Sequence, residues 1–326
     1  MRMNRRAWVR AAAGALVASH AAKMAQAQSD YPTKPVRIVV PFPPGSSPDV
    51  SARLIARKMS EQLGQQVLVD NRPGFTGHIG TESVVRSQPD GYTLVLGASS
   101  THVVSPQVLR GIKYDTVADL TPIGLVARIP NVLVVHPSVP AHTVPQLLAY
   151  AKAHPGRLTF ASLGTGSNLH LAGEWLKVRA GIDMAHVPYN AQNLATDFLS
   201  GRVQLMFDNA INAVPNVKAG KLRALAVASE DPVPDLPDLP AMSQFVPGFS
   251  LSAWTVLFGP RGLPTDIARQ LENALQAALA SDEVRKGFAM QVLIPGDLNA
   301  RQTAGFVRDE YDKWAGILRD TGVEVE

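Results

Sequence analysis

The chain has 326 residues, 46% of them hydrophobic and 18% charged, a balance that supports a buried core and excludes a disordered chain. Its formal charge of +4 is concentrated at one end. Residues 1–27 carry Arg2, Arg5, Arg6, Arg10 and Lys23 with no acid, leaving 26 basic against 27 acidic residues in the rest, a net charge of −1. Such a body has no electrostatic footprint for a polyanion, which excludes nucleic-acid binding. The absence of cysteine excludes disulfides, thiolate metal sites, cysteine nucleophiles and a lipid-modified N-terminal cysteine.

Residues 1–27 read as a signal peptide. A basic start precedes a weakly apolar run, Ala11–Ala22, and Ala25-Gln26-Ala27 supplies the small residues of a cleavage site, with the cut expected after Ala27. The pair Arg5-Arg6 and the low hydrophobicity lean toward twin-arginine export, with the general secretory route left open. The run is far shorter than the roughly 20 residues that span a bilayer. No later stretch is apolar enough to cross a membrane, so the mature protein is expected free in the periplasm, with a core large enough to dispense with disulfides.

In the mature region, Val36–Val40 is a β-branched strand. Pro48–Leu63 follows as a helix with Ala52, Ile55, Met59 and Leu63 on one face and Gly64 as its stop. Val67–Val69 is a strand leading into the glycine-bearing loop Asn71–Gly77. A helix from Ile79 to Ser87 ends at the turn Pro89-Asp90-Gly91, and Tyr92–Leu96 is a third strand. Ile123–Val126 and Val132–His136 are strands on either side of Arg128-Ile129-Pro130. Helix Val144–His154, strand Leu158–Ala161, helix Asn168–Ala180, strand His186–Tyr189, helix Asn193–Ser200 and strands Val203–Phe207 and Leu222–Ala228 continue the alternation. The proline-rich connector Asp231–Pro240 is expected to be extended. Strand Leu251–Phe258 and helices Thr265–Ala280 and Ala300–Asp320 close the chain.

This alternation predicts an α/β protein with largely parallel sheets. Two units fit the order, with the chain leaving the first near Ala127–Pro130 and returning near Ser250–Thr255. One lobe then comprises 28–127 and 253–326, the other 128–252, with a hinged cleft between them. One continuous large domain is the competing reading.

Two strand-to-helix loops carry the chemistry. In Pro41–Asp49, Ser47 is placed to cap the following helix with Pro48 at its first position, and Gly45 lets backbone approach a ligand. In Ser162–His170, glycines and hydroxyls again precede a helix N-terminus. It lacks the lysine of a phosphate-binding loop and the spacing of a nucleophile elbow. Each loop also reads as an ordinary capped turn. If both face one cleft, each helix start offers oriented N–H donors and about half a positive charge, enough to grip an acid from two sides without an arginine. His170 reads as a neutral hydrogen-bonding or packing residue, or else a catalytic one. Asp49 either stabilises the helix start or receives an amine or water. Phe75 and Thr76, Ser99 and Thr101, Tyr189, and Asp208 lie in loops after predicted strands, where each also suits a plain turn or cap. With no nucleophile–base constellation, no His-Glu-x-x-His and no cofactor loop, neither enzymatic activity, nor a metal, nor a cofactor is expected.

Several blocks in order, YPTKPVRIVVPFPPG, LGQQVLVDNRPGFTG, PDGYTLVLG, NVLVVHPSVPA, ASLGTGSNLHLAGEWLK, HVPYN, GKLRALAVAS and DEYDKWAGILRDTG, carry a resemblance over nearly the whole mature chain. The sequence resembles the Bug family of periplasmic solute receptors, which serve tripartite tricarboxylate transporters. The resemblance implies a two-lobed periplasmic-binding-protein type II fold closing around a small carboxylate, such as an amino acid, a di- or tricarboxylate or an aromatic acid. It implies a monomer that delivers its solute to the large and small membrane subunits of a transporter. It also maps ligand contacts onto Phe42, Pro43, Gly45, Ser46, Ser47 and Asp49 in the first loop, and onto Ser162, Gly164, Thr165, Gly166, Ser167 and His170 in the second. The first loop departs from the family's usual Pro-Phe-Ala-Pro-Gly-Gly-Ser-Thr-Asp at Pro43, Ser46 and Pro48, and Asn190 replaces the usual basic residue after HVPY. These changes stiffen the loop and point to an uncommon ligand. A sensor input docking on a signalling protein is the alternative role.

Overall fold

The structure, a computed structural model, describes residues 31–189, 191–229 and 236–324. The signal peptide with its expected cleavage after Ala27, the substitution at Asn190 and the first half of the proline-rich connector lie outside the described residues.

The strands are β1 (Val36–Val40), β2 (Val67–Asn71), β3 (Thr93–Ala98), β4 (Leu120–Val135), β5 (Leu158–Ser162), β6 (Met184–Pro188), β7 (Leu205–Asn209), β8 (Arg223–Val227), β9 (Ser252–Pro260) and β10 (Ile294–Pro295). The longer helices are α1 (Ser47–Leu63), α2 (His78–Val85), α3 (Val144–Ala153), α4 (Asn168–Ala180), α5 (Ala191–Leu199), α6 (Ala210–Lys218), α7 (Thr265–Ala280), α8 (Asp282–Ala289) and α9 (Ala300–Thr321). The β-branched run of β1 is buried almost throughout, as a central strand requires. It pairs in parallel with β2 and β3, and α1 makes the crossover between β1 and β2. Ala52, Ile55, Ala56 and Met59 of α1 face inward, and Gly64, at φ +64°, ends the helix in the left-handed region.

One sheet runs β2-β1-β3-β9-β4, with β10 on the far edge of β4; a second runs β8-β4-β7-β5-β6. β4 belongs to both. Leu120–Pro130 pairs with β9, and Asn131–Val135 pairs with β7 and β8. Both sheets are mixed rather than largely parallel: in the first, β9 returns without a crossover helix and so arrives antiparallel to β3 and β4, and in the second, β4 runs antiparallel to β7 and β8. The two strands expected around Arg128–Pro130 are one 16-residue strand. Pro130 does not break it, since its missing N–H falls where β4 exchanges β9 for β7.

The core has two parts. Ile38, Leu94, Ile55 and Leu275 belong to a cluster that seals α1 and α7 onto the first sheet. Leu133, Phe160, Leu176, Phe207 and Trp314 belong to a larger one that reaches the first sheet through Val39 and Val95. Each such side chain contributes roughly 2 kcal/mol on burial. Of the C-terminal helices, α9 packs against β4 and also against α4.

Gly173 shows how tightly α4 is seated. A Cβ there would lie 2.2 Å from the ring of Phe160, which is itself fully buried. The helix preference for alanine, about 1 kcal/mol, is outweighed by overpacking, so Gly173→Ala is expected to lower stability by at least about 1 kcal/mol in urea unfolding. Gly305 on α9 is exposed with nothing within 4 Å, and Gly305→Ala is expected to raise stability by about 0.5–1 kcal/mol.

Candidate functional site

The loops at the C-terminal ends of β1, β2, β3, β5 and β7 converge on a cavity of about 650 Å³, whose floor is the β4–β9 crossing. It lies between the two sheets, where open α/β folds place ligands. Its lining includes Phe42, Pro43 and Ser47; Pro73, Gly74, Thr76 and Gly77; Ala98, Ser99, Ser100 and Thr101; Leu163, Thr165, Gly166, Ser167, Asn168 and Leu169; Asn209 and Ile211; and Ile129, Asn131, Ala253 and Trp254. Among the described residues, no ionisable side chain lines it. A second hollow, about 510 Å³ beside Pro137, Leu222 and Leu236, receives no helix N-terminus among the described residues.

The first loop is fastened from behind. Asp49 is buried; its Oδ2 accepts from the Gly45 amide at 2.8 Å and from Arg53 Nε at 3.1 Å, and its Oδ1 accepts from Asn71 Nδ2 at 2.8 Å. Burial alone would raise its pKa; the Arg53, Gly45 and Asn71 hydrogen bonds and the Arg53 charge together hold it below the usual carboxylate range. Asp49 therefore holds the loop and does not reach the cavity. The helix begins one residue earlier than expected: Ser46 is the N-cap and Pro48 the second helical residue. Ser46 Oγ does not cap, because it donates to Pro43 O at 2.7 Å. The first-turn donors facing outward are then the amides of Ser47 and Asp49, since Pro48 has none. Ser47 Oγ, freed from capping, is buried without a hydrogen-bond partner.

The second loop is built the same way. Ser167 caps α4, accepting from His170 N at 3.2 Å and donating to Gly164 O at 2.8 Å. His170 Nδ1 accepts from the Gly166 amide at 3.1 Å, which requires an unprotonated Nδ1 and so a neutral ring. Burial lowers its pKa in agreement, and lowers that of His186 to about 4. His186 Nε2 lies 2.7 Å from Ser162 Oγ, and the two imidazoles are 3.9 Å apart. His170 and Ser162 thus brace the loop from beneath while Thr165, Gly166, Ser167 and Asn168 face the cavity. Asn168 Nδ2 donates to Ser99 Oγ at 3.1 Å, a direct bond across the cleft.

The starts of α1 and α4 thus face one cavity from opposite sides, with no ionisable side chain among its described lining residues, and a helix start offers N–H donors and partial positive charge. A family model described as the tripartite tricarboxylate transporter family receptor matches residues 51–323. BugT of Bordetella pertussis is 37% identical over 299 residues, spanning 91% of this chain and 92% of its own. The R. palustris protein Rpa4515, in a structure with adipate, is 34% identical with a TM-score of 0.77, spanning 90% of this chain and 99% of that one. MatC of Rhodopseudomonas palustris, with bound malate, is 29% identical with a TM-score of 0.73, spanning 88% and 100%. The chain belongs to the tripartite tricarboxylate receptor family.

The family is the one whose motifs the sequence carries. Its members are periplasmic solute-binding receptors, and this chain has their two-lobed α/β fold. No described helix is long and apolar enough to cross a membrane, and no group of metal-ligating side chains is found among the described residues.

Several expected contacts of this receptor stand off the cavity lining. Gly45, Ser46, Asp49, Ser162, Gly164 and His170 shape the two loops from behind. Phe75 is half-exposed and turns its ring toward His78. Tyr189 interacts with Asp197, and Asp208 accepts from Asn212 at 3.1 Å, on the face of β7 opposite Asn209. Burial raises the Asp208 pKa to about 6. Thr101 lines the cavity, but its hydroxyl is engaged with Ala98 and His102. Among the lining residues that sequence reasoning missed are Asn131 and Trp254 on the crossing strands, with Asn168 and Asn209 in the loops. A lone polar residue opening the run Val132–Val135 was the available signal for the first.

Behind Ser99–Thr101 lie two more neutral imidazoles: burial lowers the pKa of His78 to about 4 and of His102 to about 3. Below pH 6.5 the unfolded chain takes up protons that the folded one refuses. Stability is therefore expected to be full above about pH 6.5 and to fall by up to about 1.4 kcal/mol per pH unit per histidine down to pH 4. Urea midpoints between pH 7.5 and 5 measure the slope, which should flatten in His102→Asn; a level wild-type profile contradicts this account.

Proposed function

We propose that this receptor is exported, with its leader cleaved after Ala27, and binds a small organic carboxylate in the periplasm without chemical turnover. It delivers the solute to the large and small membrane subunits of a tripartite tricarboxylate transporter. In this reading 28–127 with 253–326, and 128–252, are the lobes that close on the ligand, and β4 and β9 are the hinge. One observation carries the reading: the unpartnered Ser47 Oγ at the start of α1 and the Thr165–Ser167 turn at the start of α4 line the same cavity. Each helix start supplies N–H donors and about half a positive charge, so together they balance one carboxylate. The adipate and malate found in two similar structures support this ligand class.

A carboxylate that fits is expected to stabilise the protein by roughly 2.7 kcal/mol at 100 times its dissociation constant, read as a thermal shift. Because hydrogen bonds to a charged ligand contribute about 1.5–3 kcal/mol each, Ser47→Ala combined with Thr165→Ala is expected to weaken binding more than tenfold in calorimetry, with the melting curve of the free protein retained. Unchanged affinity in that double variant moves the site elsewhere. Mass spectrometry of the bound acid after incubation should return it intact, and turnover overturns the receptor reading.

A further inference from the structure

The floor of the cavity is as informative as its mouth. Asn131 opens the second-sheet half of β4, directly opposite Asn209 in the ladder, and partners on a ladder place their side chains on one face. Asn131 is 4% exposed and lines the cavity, yet its Oδ1 has no hydrogen-bond partner. Asn209 is the N-cap of α6 but makes no capping bond with its side chain. Its amide too faces the cavity. Asn209 is only partly buried, but a buried, unsatisfied amide oxygen like that of Asn131 is rare unless something satisfies it.

The charge around the floor is equally telling. The two helix starts at the mouth balance one carboxylate. The third, that of α6, adds about half a charge more, which leaves a second buried carboxylate undercompensated. The ionisable groups behind the floor do not make up the difference. Glu310 accepts from Trp254 Nε1 at 2.9 Å and is paired with Lys313, Asp208 adjoins Asn209, and Arg128, next to Ile129, is tied to Asp297 at 2.7 Å. Between mouth and floor the walls are apolar, formed by residues such as Phe42, Leu163, Leu169 and Ile211.

We infer that Asn131 is the specificity-determining residue of this site, selecting a monoanion with an apolar body and an uncharged, hydrogen-bonding far end, such as a primary amide, over a dicarboxylate. This rests on the receptor reading above. The Asn131 carboxamide accepts through its oxygen and donates through its nitrogen. It therefore completes an amide end of a ligand as readily as it completes another asparagine. A second carboxylate placed there meets no fixed cation, and a methyl end leaves Asn131 unsatisfied.

The test uses probes matched in shape. Calorimetry compares adipate with its monoamide, adipamate, and with hexanoate, and terephthalate with its monoamide and with 4-methylbenzoate. In whichever scaffold binds, the monoamide is expected to bind at least tenfold tighter than both the dianion and the methyl analogue. Asn131→Leu should abolish the preference for the amide over the methyl end; the ratios in the wild-type protein stand even if that variant does not fold. Tighter binding of adipate or terephthalate than of its monoamide overturns this inference. If that binding still falls more than tenfold in the Ser47→Ala, Thr165→Ala double variant, the receptor reading survives. Binding by none of the probes overturns both.

Discussion

A carboxylate taken out of water has to be met by donors that are already in place, and a cavity with no ionisable lining leaves that work to backbone and hydroxyl groups. The geometry of the loops then matters more than the identity of any one side chain facing inward. A lysine or arginine can follow a ligand that shifts by an ångström, because its stem bends. A helix N-terminus cannot, so the turn that leads into it has to be rigid. Rigidity of the two turns is the constraint from which the rest of the architecture follows.

The ionisable residues near the site serve that constraint. Asp49 gathers the Gly45 amide, Arg53 and Asn71, tying the loop after β1 to its own helix and to the end of β2. Three polar partners around one buried carboxylate make it a fixed strut rather than a base. On the other side His170 accepts the Gly166 amide while Ser167 caps the helix, and His186 supports Ser162. A protonated His170 would lose its acceptor nitrogen and with it the turn, which is why burial that keeps the ring neutral is a structural requirement here. The loop after β2 is held differently. Residues 74–77 all have positive φ, including Phe75 at +44° and Thr76 at +49°, a conformation that costs of order 1–2 kcal/mol for each residue bearing a Cβ. Gly77 packs so closely on Pro41 and Thr101 that a Cβ would come within 2.8 Å. That contact holds the strained turn against the first loop.

Much of this was legible in the residues themselves. The run VRIVV, the inward face of α1 and the glycine stop at Gly64 read directly as strand, helix and end, because one local pattern determines each. The two loops were legible for the same reason: glycines and hydroxyls between a strand and a helix leave few other structures. Elements were missed where a local signal pointed the wrong way. The sequence reading has no element over residues 210–218, where Pro215 inside α6 weakens the local helix signal. Pro130 likewise suggested a break in what is one strand. The N-cap fell on Ser46 because Ser46 and Ser47 are adjacent hydroxyls and only tertiary contacts decide between them. Asn131 and Trp254 were missed for a deeper reason: each becomes a cavity residue only when β4 and β9 cross between sheets, and long-range pairing leaves at most a faint local trace, such as the lone polar residue ahead of Val132–Val135.

That crossing also determines how the cleft can work. β4 passes from one sheet to the other as continuous backbone, with register shifts between Pro122 and Gly124 and between Leu125 and Ala127. Irregular ladders of this kind bend more easily than regular ones. Opposite the crossing, a hydrogen bond between the loops of the two sides runs from Asn168 to Ser99. A neutral bond of this type contributes about 1 kcal/mol net, too little to keep the cleft shut by itself. A ligand that touches both helix starts adds several times that, and only in the closed arrangement. In the proposed reading the solute therefore biases the conformation: with it bound the two loops share a charge, and without it the loops share one weak bond, while α9 keeps its contacts with β4 and α4.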